Sequence, residues 1–243
     1  MAAIPIFDAC ALFGPWPQHH DLKVESLLGT MSGSNISRAL ALSTIGIYSD
    51  YRAGNAATLE TCRAHPDKLV PVATLDPRAY PSCLQEAENC AKAGFKLIRF
   101  FPSRQKWPLR LASFRELLHK CDSLNLTVAV EVTESGDATE LADAVAFTQA
   151  PLLLSGVSSE NLGEAIAVLR SSPKFHLETT HLLAPGALEA VVSNVPNGHE
   201  RLVFASYSPL RYLSSALNVV GASVMTGEQK TAVISSNLAR LMK

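Results

Sequence analysis

The 243-residue chain lacks an excess of charge of either sign: 21 lysines and arginines stand against 22 aspartates and glutamates, for a formal net charge of −1. No lysine- or arginine-rich run interrupts this mixture. That argues against a nucleic-acid partner, because phosphate backbones are held by clustered basic side chains. Long hydrophobic runs are missing too. No stretch approaches the roughly 20 apolar residues of a membrane span. The opening MAAIPIFD has neither the basic start nor the apolar core of a signal peptide. The five cysteines, Cys10, Cys62, Cys83, Cys90 and Cys121, form no CxxC pair and are odd in number. Reduced thiols in the cytoplasm are expected rather than a disulfide framework. There is no GxGxxG, no P-loop, no linker rich in Gly, Ser or Pro and no low-complexity tract. A dinucleotide-binding open sheet is therefore disfavoured, and one domain over residues 1–243 is expected.

What is present is apolar surface in short, regularly spaced runs. Hydrophobic residues make up 47% of the chain and charged residues 18%, enough for a large core. Strand-like runs fall at residues 4–8, 38–42, 69–74, 96–101, 127–132, 151–155, 175–179 and 202–206. Between them, segments 56–64, 81–93, 111–121, 138–148, 161–169 and 185–193 carry apolar residues at helical spacing. A last helix over 226–242 opens on a capping-box pattern, with Gln229 three residues after Thr226. Strand and helix alternating to the end of the chain predict an α/β fold, a parallel (β/α)₈ barrel. In such a barrel the chemistry sits at the C-terminal ends of the strands.

Side-chain alternation along the strands selects the candidates. Arg99 shares a face with Leu97 and Phe101 and is expected inside the barrel, either anchoring a substrate carboxylate or pairing with Glu131 or Glu178. Glu131, on the face of Thr127 and Ala129, is the best general acid or base, since enclosure raises a carboxyl pKa. His176, Glu178 and Thr180 alternate on one face, with His181 following; the His-x-Glu pair has acid/base and ligand chemistry, or else faces solvent or a helix end. Cys10 is either a nucleophile or soft ligand, or a small buried hydrophobe. Ser206 and Tyr207 close the eighth strand, where Tyr207 either donates to a ligand oxygen or plugs the space. Trp16 and Trp107 lie in proline-flanked loops and either wall a pocket or pack loop onto barrel. Tandem His19 and His20 read as surface loop.

Several segments in order resemble the amidohydrolase superfamily, specifically its TIM-barrel hydrolases and decarboxylases. Residues 7–17 (FDACALFGPWP) resemble the first-strand motif Asp-Ala-His-x-His-x-Gly. Residues 65–77 (HPDKLVPVATLDP) are similar to the approach to the third strand, and 94–102 (GFKLIRFFP) to the fourth. Residues 200–209 (ERLVFASYSP) resemble Glu-Arg-x-x-Phe-Gly-Ser-Asp-x-Pro, and the stretch from Lys230 to Leu241 resembles the family's Asn-Ala-x-x-Leu close. The resemblance implies a metal-dependent hydrolase or decarboxylase, yet this chain departs from it at the metal ligands. The two first-strand histidines correspond to Cys10 and Leu12, the fifth-strand histidine to Glu131, the sixth to Ser155 or Gly156, and the eighth-strand aspartate to Tyr207.

The expected function is therefore a small-molecule hydrolase or decarboxylase of amidohydrolase type that does not use the usual divalent metal. Glu131, His176 and Glu178 would be catalytic, with Arg99, Cys10, Thr180, Tyr207, Ser206 and Trp16 meeting a carboxylate-bearing ligand. The alternative is an inactive relative that binds a small anion or a protein partner. No cofactor is expected unless zinc occupies a site rebuilt from Cys10, Glu131, His176 and Glu178, which needs convergence to about 2.0–2.3 Å. A homo-oligomer is a further expectation, and no membrane partner is.

Overall fold

A computed structural model describes residues 5–17 and 20–242. Eight strands, all parallel to their neighbours, follow one another in chain order around one sheet: β1 (Ile6–Phe13), β2 (Ile36–Ser43), β3 (Leu69–Thr74), β4 (Leu97–Phe100), β5 (Thr127–Glu131), β6 (Leu152–Ser155), β7 (Phe175–Glu178) and β8 (Leu202–Val203). Backbone bonds bring the ends of the sheet together: Ala9 N donates to Phe204 O at 2.9 Å, Tyr207 N to Cys10 O at 2.9 Å and Leu12 N to Ser208 O at 2.8 Å. The molecule is a single (β/α)₈ TIM barrel.

Strand parity sorts the side chains into two layers. Cys10, Leu12, Leu42, Val72, Leu97, Ala129, Leu153 and Val203 fill the barrel lumen. Ile98, Phe100, Val128, Val130, Leu154 and Leu177 point outward, against helical residues such as Phe114, Leu117, Leu141 and Leu188. Burial of the large apolar side chains in these layers stabilises the fold by about 1.5–3 kcal/mol apiece. No helix among the described residues is long and apolar enough to cross a membrane.

The expected element boundaries shift for identifiable reasons. The first strand runs on to Phe13 through a bulge between Asp8 and Ala11, where the pairing register with β2 slips. The eighth is shorter than expected because side chains replace its ladder: Ala205 N donates to Thr179 Oγ1 at 3.2 Å and Ser206 N to Asp8 Oδ1 at 2.9 Å. The helix expected at 56–64 begins at Tyr51, where the Asp50 carboxylate accepts from the amides of Arg52 and Ala53. Helices at Val24–Gly33 and Leu213–Ala222 were not anticipated. The capping box at Thr226 forms as expected, and the last helix is interrupted by a π-helical segment over Ala232–Ser236.

A close backbone approach seats the loop after β2. A Cβ on Gly54 would lie 2.2 Å from the backbone nitrogen of Gly46, so glycine alone lets the helix Tyr51–Ala64 meet the short helix Ile45–Tyr48. That contact holds Tyr48 at the mouth of the barrel.

Candidate functional site

The lowest layer of the site is a buried ion pair across the lumen. Arg99, from β4, donates Nη1 to Glu178 Oε2 at 2.9 Å and Nη2 to Glu178 Oε1 at 2.5 Å. Nη2 also reaches the Ala9 carbonyl at 2.9 Å. Both side chains are about 1% exposed, so the geometry is that of a bidentate pair sealed from water. Of the alternatives open for Arg99, the pair with Glu178 is the one formed. Its Nη1 and Nη2 are taken by Glu178 and the Ala9 carbonyl, and its Nε is buried without a partner. Cys10 sits in the same layer, and burial pushes its thiol up to about 12 against the pull of Arg99. Burial therefore favours its neutral thiol over the thiolate.

Beside this pair, Asp8 joins the two ends of the sheet. Its Oδ1 accepts from the amides of Cys10 and Ser206 at 3.0 and 2.9 Å, and Oδ2 accepts from the Ser206 hydroxyl. Ser206 Oγ accepts in turn from Ser208 N at 2.9 Å. Ser206, expected to meet a ligand, is fully engaged in closing the barrel.

The second charged layer lies at the mouth. Glu131, at the end of β5, accepts from Arg104 Nε at 3.1 Å through Oε1, while its Oε2 is buried with no hydrogen-bond partner. Burial raises the Glu131 pKa, opposed by the Arg104 and Arg99 charges. Arg104 comes from the four-residue helix Pro102–Gln105 that follows β4. Its Nη1 donates to the Tyr48 hydroxyl at 3.1 Å, and its guanidinium lies 5.8 Å from the Trp16 ring and 5.4 Å from the Tyr207 ring. Trp16 meets Tyr48 edge to face at 5.0 Å, completing the aromatic wall.

Tyr207 holds its backbone in the left-handed region at φ 59°, a conformation that costs a side-chain-bearing residue roughly 1–2 kcal/mol. Its hydroxyl is buried without a partner, and burial together with Glu131 raises the phenol pKa, keeping it a donor. His181 faces it with ring centroids 5.8 Å apart. Burial and then the Arg211 and Arg104 charges lower the His181 pKa to about 4, so the imidazole is neutral. Thr180 Oγ1 and His181 Nδ1 are also buried and unpartnered. Orphaned buried polar atoms are uncommon in folded proteins, and several here gather at the functional end of the barrel.

His176 lies elsewhere. It shares the lumenal face with Glu178, but two residues earlier on a strand means about 6.6 Å further down the barrel. Its neighbours are Arg201, Arg240 and the Glu200 backbone, and burial ahead of those charges lowers its pKa to about 4. The His176/Glu178 couple expected to share acid/base work is not assembled, since Glu178 is held by Arg99. His20 is exposed, His19 lies outside the described residues, and Trp107 packs between Phe100 and Phe114 in the outer core. The residues that sequence reasoning missed are Arg104, Tyr48 and Asp8. Only Asp8 had a signal, as the acid inside the first-strand motif.

The amidohydrolase family model matches residues 45–205 of this chain. The chain belongs to the amidohydrolase family. Among solved structures, this amidohydrolase is similar to the 2,6-dihydroxybenzoate decarboxylase of Rhizobium, at 13% identity and a TM-score of 0.75 over 99% of each chain. The 5-carboxyvanillate decarboxylase of Sphingomonas paucimobilis is similar at 13% identity and a TM-score of 0.76, again over 99% of each chain. A third is the dihydroxybenzoic acid decarboxylase of Polaromonas sp. JS666, at 12% identity and a TM-score of 0.75 over 99% of this chain and 97% of that one; it carries bound manganese and the inhibitor 2-nitroresorcinol. No curated protein matches the sequence.

The amidohydrolase lumen can be tested as a manganese or zinc site by its donors. At the positions that correspond to the family's ligands stand Cys10, an apolar Leu12, Glu131 bound to Arg104, and the phenol of Tyr207. Ser155, which shares the lumenal parity of Leu153, answers the sixth-strand position. Two guanidinium groups, Arg99 and Arg104, stand where a dication would need anionic donors. This donor set does not fit a divalent metal. The rebuilt zinc site is not assembled either: no three of the described His, Cys, Asp and Glu residues come together in a metal-holding group.

Proposed function

We propose that this amidohydrolase converts a small carboxylate-bearing molecule at the barrel mouth, as a decarboxylase or hydrolase that works without the family's divalent metal, with Glu131 as the proton-transferring group. The observation that carries this reading is the Arg104–Glu131 pair, in which one carboxylate oxygen is bonded and the other is buried and unpartnered.

An incoming carboxylate matches Arg104 in the way Glu131 does, and bidentate binding to the guanidinium would displace Glu131. A carboxyl group so enclosed, once deprived of its cation, takes up a proton, because burial already favours its neutral form. The balance then favours decarboxylation over hydrolysis. As the carbon–carbon bond to the substrate carboxylate breaks, its electron pair stays on the substrate carbon. Glu131 delivers its proton there, and neutral CO₂ leaves Arg104. The resulting Glu131 carboxylate pairs with Arg104 again, so atoms and charge balance over the cycle. Trp16, Tyr48 and Tyr207 would wall an aromatic substrate, and the Tyr207 hydroxyl would donate to it. Support for the substrate class comes from a structural relative of this fold that is complexed with 2,6-dihydroxybenzoate.

A second reading has one observation in its favour: Leu12, Phe101 and Tyr207 are all buried at the mouth, which narrows access to the lumen. Under it, the protein binds a small anion without turning it over. Hydroxybenzoates offered to chelator-treated protein separate the two. Release of CO₂ that is lost in Glu131→Gln supports catalysis, and carboxylate binding retained in Glu131→Gln with no turnover by either protein supports pure binding. We read the chain as one domain over residues 1–243, and its five unpaired, buried cysteines support a reducing, cytoplasmic setting.

A further inference from the structure

A groove at the opposite end of the barrel plays no part in the reaction above. Arg38, from the first half of β2, and Arg63, in the last turn of the helix Tyr51–Ala64, line one cavity of about 240 Å³ with Leu59, Pro66, Val70 and Pro71. These residues gather where β2 and β3 begin, whereas Arg104 and Glu131 stand where β4 and β5 end. The lining contains two arginines and no acidic residue. Among the described residues neither guanidinium forms an ion pair or a hydrogen bond. Arg38 lies instead over the Phe7 ring, 5.1 Å from its centroid, a contact that restricts the side chain and leaves its N–H groups unused. Leu59, Val70 and Pro71 are half-buried and supply an apolar floor.

Two uncompensated positive charges on one apolar groove call for a ligand with two negative charges on one head and an apolar body. A phosphate monoester is such a molecule: its head carries a charge of about −1.5 to −2 at neutral pH and three acceptor oxygens, which the planar guanidinium fork matches. A single carboxylate would leave one of the two arginines unpaired. A cavity of about 150 Å³ accepts a benzene ring, so this one has room for a ring and the phosphate. We propose that the groove binds a small organic phosphate monoester, its dianion between Arg38 and Arg63 and its apolar body on Leu59, Val70 and the two prolines. Barrel chemistry belongs to the other end of the strands, so this site binds its ligand without transforming it.

Calorimetric titration of the full-length protein with phenyl phosphate, inorganic phosphate and phenol, at low ionic strength, is the direct test. Phenyl phosphate is expected to bind about tenfold more tightly than inorganic phosphate, the gain of its apolar contact, and phenol not measurably. Arg38→Met and Arg63→Met should each weaken phenyl phosphate by about tenfold, and Arg38→Lys should keep part of the affinity. Arg104→Met removes the guanidinium that an anion would meet at the mouth, and should bind phenyl phosphate as the wild type does. Both groove arginines are exposed, so without ligand their variants should unfold in urea at the wild-type midpoint. No measurable binding of phenyl phosphate overturns the inference, as does binding that survives both Arg38→Met and Arg63→Met, or inorganic phosphate bound as tightly as the ester. Binding lost in Arg104→Met and kept in the two groove variants puts the phosphate at the mouth and overturns it as well.

Discussion

Arg104 and Glu131, 27 residues apart in the chain, meet through one 3.1 Å hydrogen bond that uses a single oxygen of the carboxylate. The other oxygen is buried and unpartnered, and the guanidinium is held by Tyr48, Trp16 and Tyr207 from the remaining sides. Another carboxylate has the chemistry to take the place of Glu131 on this guanidinium.

Exchange has a proton signature. Arg104 holds the Glu131 pKa down against burial, so a ligand that takes Arg104 lets that pKa rise. Titration of benzoate, in buffers of differing ionisation enthalpy, should show net proton uptake on binding. Glu131→Gln should show none. Arg104→Met should weaken benzoate by about tenfold or more, the value of a charge-assisted pair.

Asp8 predicts a stability change with pH. Burial raises its pKa from 3.8 to about 6, with the hydrogen bonds from Ser206 and Cys10 pulling the other way. The native state thus holds a proton that the unfolded chain gives up, and this contribution is fully present below the unfolded pKa. It is lost as pH rises from about 4 through about 6, and amounts to on the order of 3 kcal/mol. Urea denaturation across that window should show a fall for the wild type that Asp8→Asn lacks.

Burying the Arg99–Glu178 pair desolvates both charges, so removing one partner alone is the costly change. Arg99→Met leaves an uncompensated carboxylate that is about 1% exposed, and should cost about 3–5 kcal/mol by urea denaturation. Arg99→Met combined with Glu178→Leu should recover most of that loss. A double variant no better than the single one would show that the two charges act independently.

All five cysteines are buried and unpaired, and burial pushes Cys10, Cys62 and Cys121 up to about 12. A thiol reagent should therefore find no fast-reacting group in the native protein and five after denaturation. A rapid native thiol would place Cys10 back among the reactive groups.

The barrel itself was legible because alternation of short apolar runs with helical periods persists along the chain, and strand 69–74 even keeps its predicted bounds. Parity pointed Arg99 and Glu131 into the barrel and set Glu178 on one face with His176, a face that proves to be the lumenal one. Parity fixes a face but not a height, which is why His176, on the face of Glu178, turns out to belong to the opposite end of the strand. Arg104 was illegible because a four-residue helix has no apolar period to read, and its importance comes from Tyr48 and Trp16, which are distant in sequence. The end of the eighth strand was misjudged because its pairing passes from backbone to the Asp8 and Thr179 side chains, which no local pattern records.

Proton transfer at this barrel mouth is expected to run from Glu131 and without a metal. It is tested most directly by measuring CO₂ release from a panel of hydroxybenzoates, 2,6-dihydroxybenzoate included, with chelator-treated wild type beside Glu131→Gln. Turnover is expected in the presence of chelator, with a loss of about 100-fold or more in the variant. Turnover that appears only when manganese or zinc is added, or that survives Glu131→Gln unchanged, would contradict it.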